Sequence, residues 1–402
     1  MRESFPGELL QLLREVGEAV ARRGEGIYLV GGGVRDLLLG RPNLDLDLVI
    51  EGPAIPLAQE LARSKGWKVV THPQFGTAKI SWGDFHLDLA TARGETYPHP
   101  GALPQVRPGT LRDDLFRRDF TINALAIDLA PNRFGELLDF YGGLKDLERG
   151  RLRVLHERSF IDDPTRILRG IRYEQRLGFS FEPKTEELAR RDGQVLEKIS
   201  GERLWHELEL ILREESPEKA LLRAAELGVL PHLRLKFSEM LARKFQEARL
   251  RGRADPMVYL GLLARELNEE EVESFIQRLK PPGWARQVMK EVVRLRSSLP
   301  ALAQATRPSE AYRQLEGYYE EALEAAALLS GEGKAEQWLR LYLEKLRFIK
   351  PELTGEDLKQ MGVPPGRRLG RLLARLREAR LDGEVGSREE EVELVQKLLG
   401  EP

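Results

Sequence analysis

Asp45 and Asp47 stand two residues apart in the run LDLDLVI. Side chains on a strand alternate faces, so Leu44, Leu46 and Leu48 are expected in a core while both aspartates point the other way. Two carboxylates on one face repel unless a cation neutralises them, and oxygen donors of this kind suit Mg²⁺. Upstream, Gly31, Gly32 and Gly33 follow the apolar run IYLV and lead into VRDLLLG, which reads as a short helix. Glycines let backbone N–H groups approach a phosphate closely, and the start of a helix favours negative charge. A phosphate cradle beside a divalent-metal pair is the equipment of nucleotidyl transfer. The run is not G-x-G-x-x-G and no G-K-[ST] follows, which excludes the dinucleotide and P-loop readings.

Further residues fit that chemistry. In FHLDLATARGETY the alternation of Phe85, Leu87 and Leu89 sets His86 and Asp88 on the opposite strand face. Asp88 is the candidate third carboxylate of a two-metal site, the alternative being an exposed strand aspartate. His86 reads as a solvated strand residue, and no histidine sits at metal-ligand spacing. In RRDFTINALAID, Arg118 either braces a triphosphate with its guanidinium fork or pairs with Asp119 at the surface.

The segment IDDPTRILRGIRYEQRLGF predicts a helix with Asp163 as N-cap, Pro164 at its first position and Gly178 at its end. Arg166, Arg169 and Arg172 recur every three residues and share a face, either solvated or facing a ligand. Asp163 and Arg166 together could read a base. Cytosine and adenine both present an amine donor beside a ring-nitrogen acceptor, which a carboxylate and a guanidinium match; uracil and guanine reverse that pattern. No nucleic-acid template is then needed. Near the C-terminus, Gly362 and the Pro364-Pro365-Gly366 turn precede Arg367, Arg368 and Arg371. That arrangement reads as a grip on a nucleic-acid backbone or as a solvated helix with Arg–Glu pairs.

The elements that position these residues fall into two styles. IYLV, DLDLVI, WKVVT, TAKISW, FHLDLA and INALAIDL alternate with helical segments over the first 140 residues or so, predicting a mixed sheet. Beyond about residue 150, apolar spacing of period 3.6 dominates, and Pro281-Pro282-Gly283, Leu299-Pro300 and Lys350-Pro351 are expected to interrupt the helices. The expected fold is α+β: a catalytic head over 1–140, then an all-α neck over 141–215, body over 216–300 and tail over 301–402.

At 402 residues the chain exceeds one domain. The absence of cysteine excludes disulfides and thiolate chemistry and fits a cytoplasmic enzyme. No stretch approaches the ~18 apolar residues that span a bilayer, and MRESFPGE is not a secretory signal. A net charge of −2 gives no global nucleic-acid signature, so an RNA surface must come from local clusters. The 32% of charged residues, rich in Arg and Glu, would suit a thermophile.

GGGVRD…DLD, RRDFTINALA, DDPTRILRGIRYEQRLGF, SGERLWHEL and TGEDL…GVPPG…DGEV, in that order, resemble the class II tRNA nucleotidyltransferases. These polymerase-beta-type enzymes build or repair the 3′ CCA end of tRNA, with bacterial poly(A) polymerases as close relatives. The resemblance implies a head, neck, body and tail, with the helical parts on the acceptor end and elbow of tRNA. It implies Gly32 and Arg35 at the triphosphate of ATP or CTP, and Asp45 and Asp47 on Mg²⁺. It also implies Arg118 near the nucleotide and Asp163, Arg166, Arg169 and Arg172 in the nucleotide pocket.

Two places depart from the commonest wording. Asp162 replaces the usual glutamate before Asp163, and TARGETYPHPGALPQVRPGTLRDDLF resembles the connector of members that divide CCA synthesis between two enzymes. That connector points to addition of the final A. A poly(A) polymerase is the alternative in the same class. An RNA-binding protein with a degenerate head is disfavoured by the intact D-x-D and RRD. A small-molecule nucleotidyltransferase is disfavoured by the long helical extension.

Overall fold

The computed structural model describes residues 6–41 and 45–400, which divide into two compact units. One comprises the chain up to Leu208 together with Arg223–His232; the other comprises Glu209–Leu222 and the chain from Leu233 onward. Leu44, one of the expected core leucines, lies outside the described residues.

The first unit opens with α1 (Gly7–Ala21), β1 (Ile27–Val30), α2 (Gly32–Leu38), β2 (Leu46–Ile50) and α3 (Ala54–Lys65). Then follow β3 (Lys68–His72), β4 (Thr77–Trp82), β5 (Phe85–Thr91), β6 (Arg93–Thr96), β7 (Gln105–Pro108), α4 (Leu111–Phe116), β8 (Leu125–Asp128) and β9 (Leu137–Asp139). Seven of these strands form one sheet in the order β3-β4-β5-β2-β1-β8-β9, while β6 and β7 pair separately. The sheet is mixed: β2 runs parallel to β5 and antiparallel to β1.

Alternation decides what each sheet face does. Leu29, Leu46, Leu48, Ile50, Leu87 and Leu89 pack with Leu9, Leu13 and Val16 of α1 and Leu57 of α3. On the other face, Tyr28, Val30, Val49 and Ala126 are covered by Leu111 and Leu115 of α4. That helix has only six residues, so Asp47, two positions before Val49, is left to line a cavity. INALAIDL enters as a 3₁₀ turn (Thr121–Asn123) and becomes strand only at Leu125: the Phe120 N–H donates to the Asp119 carboxylate, and the Asn123 and Ala124 N–H groups close the turn on the Phe120 and Thr121 carbonyls.

Five helices complete this part of the chain: α5 (Gly143–Glu148), α6 (Ser159–Asp162), α7 (Thr165–Leu177), α8 (Pro183–Asp192) and α9 (Gly201–Leu212). Helix α7 begins one residue later than expected, with Pro164 at its N-cap, and ends at Gly178 with φ +71°. Asp163 still caps it through its side chain, accepting from the Thr165 N–H at 3.1 Å. Gly170, midway along α7, lies directly beneath the rings of Phe181 and Phe120.

The described part of the second unit is helical. Here one expectation fails: the helix Gly283–Gln304 continues through Pro300. A proline gives up its own N–H and crowds the carbonyl one turn back; with only four helical residues after it, that cost is confined to the last turn, where Leu302 and Ala305 are buried. No helix among the described residues is long and apolar enough to cross a membrane.

Gly170→Ala would drive a methyl into the two rings under α7. Overpacking of this kind costs about 1–3 kcal/mol, so a clearly lower Tm is expected, and an unchanged Tm would refute the close packing.

Candidate active site

Three strands carry the acidic end of the site. Asp47 on β2 and Asp88 on β5 are register partners, and Lys79 on β4 is in turn the partner of Asp88. Lys79 Nζ lies 3.1 Å from Asp88 Oδ2. Asp45 immediately precedes β2, with its Oδ1 3.3 Å from His86 Nε2, so this half-exposed histidine touches a site carboxylate. Burial raises the Asp47 pKa; Arg118 opposes that rise, and the neighbouring charges of Asp88 and Asp45 add to it.

Among the described residues no three His, Cys, Asp or Glu side chains close on one point as a finished metal cage does. The donor set instead suits a divalent cation that binds through one or two carboxylates and completes its shell with water and substrate phosphates.

The glycine turn is pressed against this acidic end. Gly31 has φ +77°, and a Cβ there would lie 2.8 Å from Arg118 Nη1 and 3.5 Å from Asp47 Oδ2. A Cβ on Gly33 would meet the Asp45 carbonyl oxygen at 2.7 Å. Backbone replaces side chain here because nothing larger than hydrogen fits. Arg35 follows, 5% exposed, and donates to Asn123 Oδ1 at 2.8 Å. It also forks onto Asp36 and lies 5.3 Å from the Tyr173 ring centre, which makes it a brace in the cavity wall.

The RRD segment does not form the surface pair that Arg118 and Asp119 suggested. Arg118 donates to Asp114 at 3.2 Å, whereas the buried Asp119 accepts from Arg169 at 2.7 Å and from Asn123 at 2.8 Å. Burial alone would raise the Asp119 pKa, but the charge of Arg169, the Asn123 and Arg169 hydrogen bonds and the charge of Arg166 hold it at about 2.

The arginines of α7 are therefore no solvated stripe. Arg166 is 4% exposed and donates to Ser159 Oγ at 2.7 Å and to the Arg117 carbonyl at 2.6 Å. Asp163 uses Oδ1 for three bonds, from the Thr165 N–H, the Thr165 hydroxyl and Arg203 Nη2. Arg172 is buried 3.7 Å from Glu207 and is not part of the cavity lining.

These elements enclose a cavity of about 550 Å³. It brings together Gly32, Arg35, Asp45, Asp47, Arg118, Asp163, Arg166 and Arg169. Asp88 lies outside it, in an adjoining cavity that shares Asp47 and Arg118. The lining also includes Tyr97, Arg117, Asn123, Tyr173 and Arg203. Of these, Tyr97 comes from the connector, where no periodicity marks a functional side chain. Arg203 lies in SGERLWHEL, whose apolar spacing announces only a helix.

In the second unit the helix Arg367–Leu381 splits its arginines by position. Arg367, Arg368 and Arg371, on its first turns, are exposed. Arg375, Arg377 and Arg380 pair with Glu384, Glu316 and Glu352, so the Arg–Glu reading holds for the second half of the helix.

A mixed sheet bearing a glycine turn and an aspartate pair, joined to a helix of arginines, is the arrangement expected of the nucleotidyltransferase class that the sequence resembles. Consistent with that class, the family model for the poly A polymerase head domain matches residues 27–153, and that for a probable RNA and SrmB-binding site of polymerase A matches residues 178–240. An A-adding tRNA nucleotidyltransferase of Halalkalibacterium halodurans is 38% identical over 91% of this chain and 87% of its own length. A CC-adding tRNA nucleotidyltransferase of Deinococcus radiodurans is 35% identical over 93% and 90%. The A-adding enzyme of Geobacter sulfurreducens is 36% identical over 99% of this chain, which spans only about half (48%) of that relative. Among solved structures, the Thermotoga maritima CCA-adding enzyme complexed with tRNA superposes with a TM-score of 0.79 at 34% identity, covering 99% of this chain and 97% of its own. The chain belongs to the tRNA nucleotidyltransferase family.

Asp119→Asn would remove the counter-charge of Arg169, whose side chain is about one-third exposed, costing about 1–3 kcal/mol near neutral pH. Because the folded-state pKa is depressed, the stabilisation is full above the unfolded-state pKa of about 4 and fades as pH falls towards 2. Urea unfolding of both proteins should therefore converge at acid pH. A constant gap down to pH 2 would contradict the pairing.

Proposed function

We propose that the chain transfers a nucleotide from ATP or CTP to the 3′ hydroxyl of tRNA without a template, with the terminal A as the nucleotide added. One observation carries this reading: a single cavity joins a glycine turn, an aspartate pair and the Asp163–Arg166 helix. The glycine turn and Arg118 would receive the triphosphate, with Arg35 holding the wall behind them. Asp163 Oδ2 would accept from the exocyclic amine of adenine or cytosine. Arg166 would donate to the ring nitrogen, since each of its terminal nitrogens carries a second N–H beyond the bond it already makes.

Asp45 and Asp47 would hold Mg²⁺, with Asp88 as a third carboxylate. When bound, the cation neutralises charge on the leaving pyrophosphate and lowers the pKa of the attacking hydroxyl. The new bond joins the RNA 3′ oxygen to the α-phosphorus as the bond to pyrophosphate breaks. Arg169 and Arg172, fixed by Asp119 and Glu207, would keep the pocket wall from following whichever base enters.

The four-part division of head, neck, body and tail accompanies this proposal. Arg367, Arg368 and Arg371 of the tail would take RNA phosphates. Addition of A rather than CC is supported by the connector wording and by A-adding relatives, although a CC-adding relative is similarly close.

Transcripts ending at the discriminator base, at C and at CC, offered CTP, ATP or both, test the activity. Extension by one A of the CC-ended transcript alone is expected; long A-tails on unrelated RNA would instead mark a poly(A) polymerase. Asp47→Ala should lower kcat by at least ~100-fold through lost charge stabilisation. The combined Arg367→Ala, Arg368→Ala and Arg371→Ala protein should bind tRNA about tenfold more weakly, with a shallower salt dependence. Its KM for ATP should not change; a rise there would remove these arginines from the RNA grip.

A further inference from the structure

We propose that a second cavity, on the β4–β5 side of Asp47, seats the 3′ end of the acceptor RNA, with Lys79 as the cation for its last phosphate. This deepens the functional reading given above and rests on it. The cavity has a volume of about 360 Å³ and is bordered by Asp47, Asp88, Lys79, His72, Arg117 and Arg118. Asp47, Arg117 and Arg118 border both cavities, whereas Gly32, Asp45, Asp163 and Arg166 border only the first and Asp88 and Lys79 only the second.

That partition is informative because displacement at phosphorus is in line. The entering oxygen must approach from the side opposite the departing pyrophosphate. The glycine turn and the base-reading pair assign the triphosphate to the first cavity. The attacking hydroxyl must then come from the other side of Asp47, which is where the second cavity opens.

The charges there suit a phosphodiester. Lys79, Asp88 and Asp47 form a row across three strands, and Lys79 neutralises Asp88 at 3.1 Å. Both side chains of that pair are nearly half exposed, so the pair adds little to stability and is readily exchanged. With a cation held by Asp47 and Asp88, the Lys79 ammonium loses its reason to stay on Asp88. It is then free to meet an incoming phosphate oxygen. A lysine suits this exchange, being a point charge on a flexible stem.

The test is a binding cycle between Lys79 and the RNA terminus. Wild type and Lys79→Ala are compared by fluorescence anisotropy on tRNA ending in CC and on tRNA shortened to the discriminator base. In parallel, KM for ATP and the melting temperature are measured. Lys79→Ala is expected to weaken the CC-ended tRNA about fivefold, as loss of one phosphate contact does, and the shortened tRNA less than about twofold. KM for ATP should stay constant, and Lys79→Arg should restore most of the affinity. Equal weakening of both tRNAs, no weakening of either, or a raised KM for ATP would overturn the proposal. A wild-type protein that extends no tRNA at all would instead overturn the functional reading on which it stands.

Discussion

The buried bond between Asp119 and Arg169 is the constraint on which the candidate site depends. It ties the RRD segment, which presents Arg118 to the glycine turn, to the helix that presents Arg166. Asn123 extends the connection from Asp119 to Arg35, so the wall behind the glycine turn and the base-facing helix share one hydrogen-bonded network. A carboxylate removed from water in this way is tolerable only with full satisfaction of its oxygens. Each partner it recruits is therefore held in one place.

The two ends of the cavity are stabilised by opposite means. At the acidic end, like charges stand together beside Lys79, His86 and Arg118. At the base-facing end, Arg166, Arg169 and Arg172 of α7 each face an oxygen acceptor or a carboxylate. The first end gathers carboxylates and is suited to recruit a cation; the second is built from paired arginines and is suited to judge a shape. Chemistry and selection are thus separated within one cavity.

Apolar runs and period-two alternation located β1, β2, β4 and β5 in the sequence almost to the residue, and the D-x-D pair followed from the alternation in β2. Helix α7 was equally readable from Pro164 and Gly178. What escaped were features set by tertiary partners. Asp119 reads as a surface neighbour of Arg118, and only folding brings it to Arg169, fifty residues away. Arg172 looks identical in spacing to Arg169, yet Glu207 on another helix draws it out of the cavity lining. Pro300 carries a breaker signal that burial of the following turn overrides. Local propensity describes the chain's own preference, and these residues answer to something outside it.

Asp163 is held by three hydrogen bonds through a single oxygen. Where a nucleic-acid template directs synthesis, the error rate follows from base pairing. In the proposed reaction the standard of comparison is a side-chain rotamer, and its precision is borrowed from the packing of the helix behind it. Fidelity then becomes a mechanical property. As the protein warms or its core loosens, the first symptom would be a wrong letter rather than a lost activity.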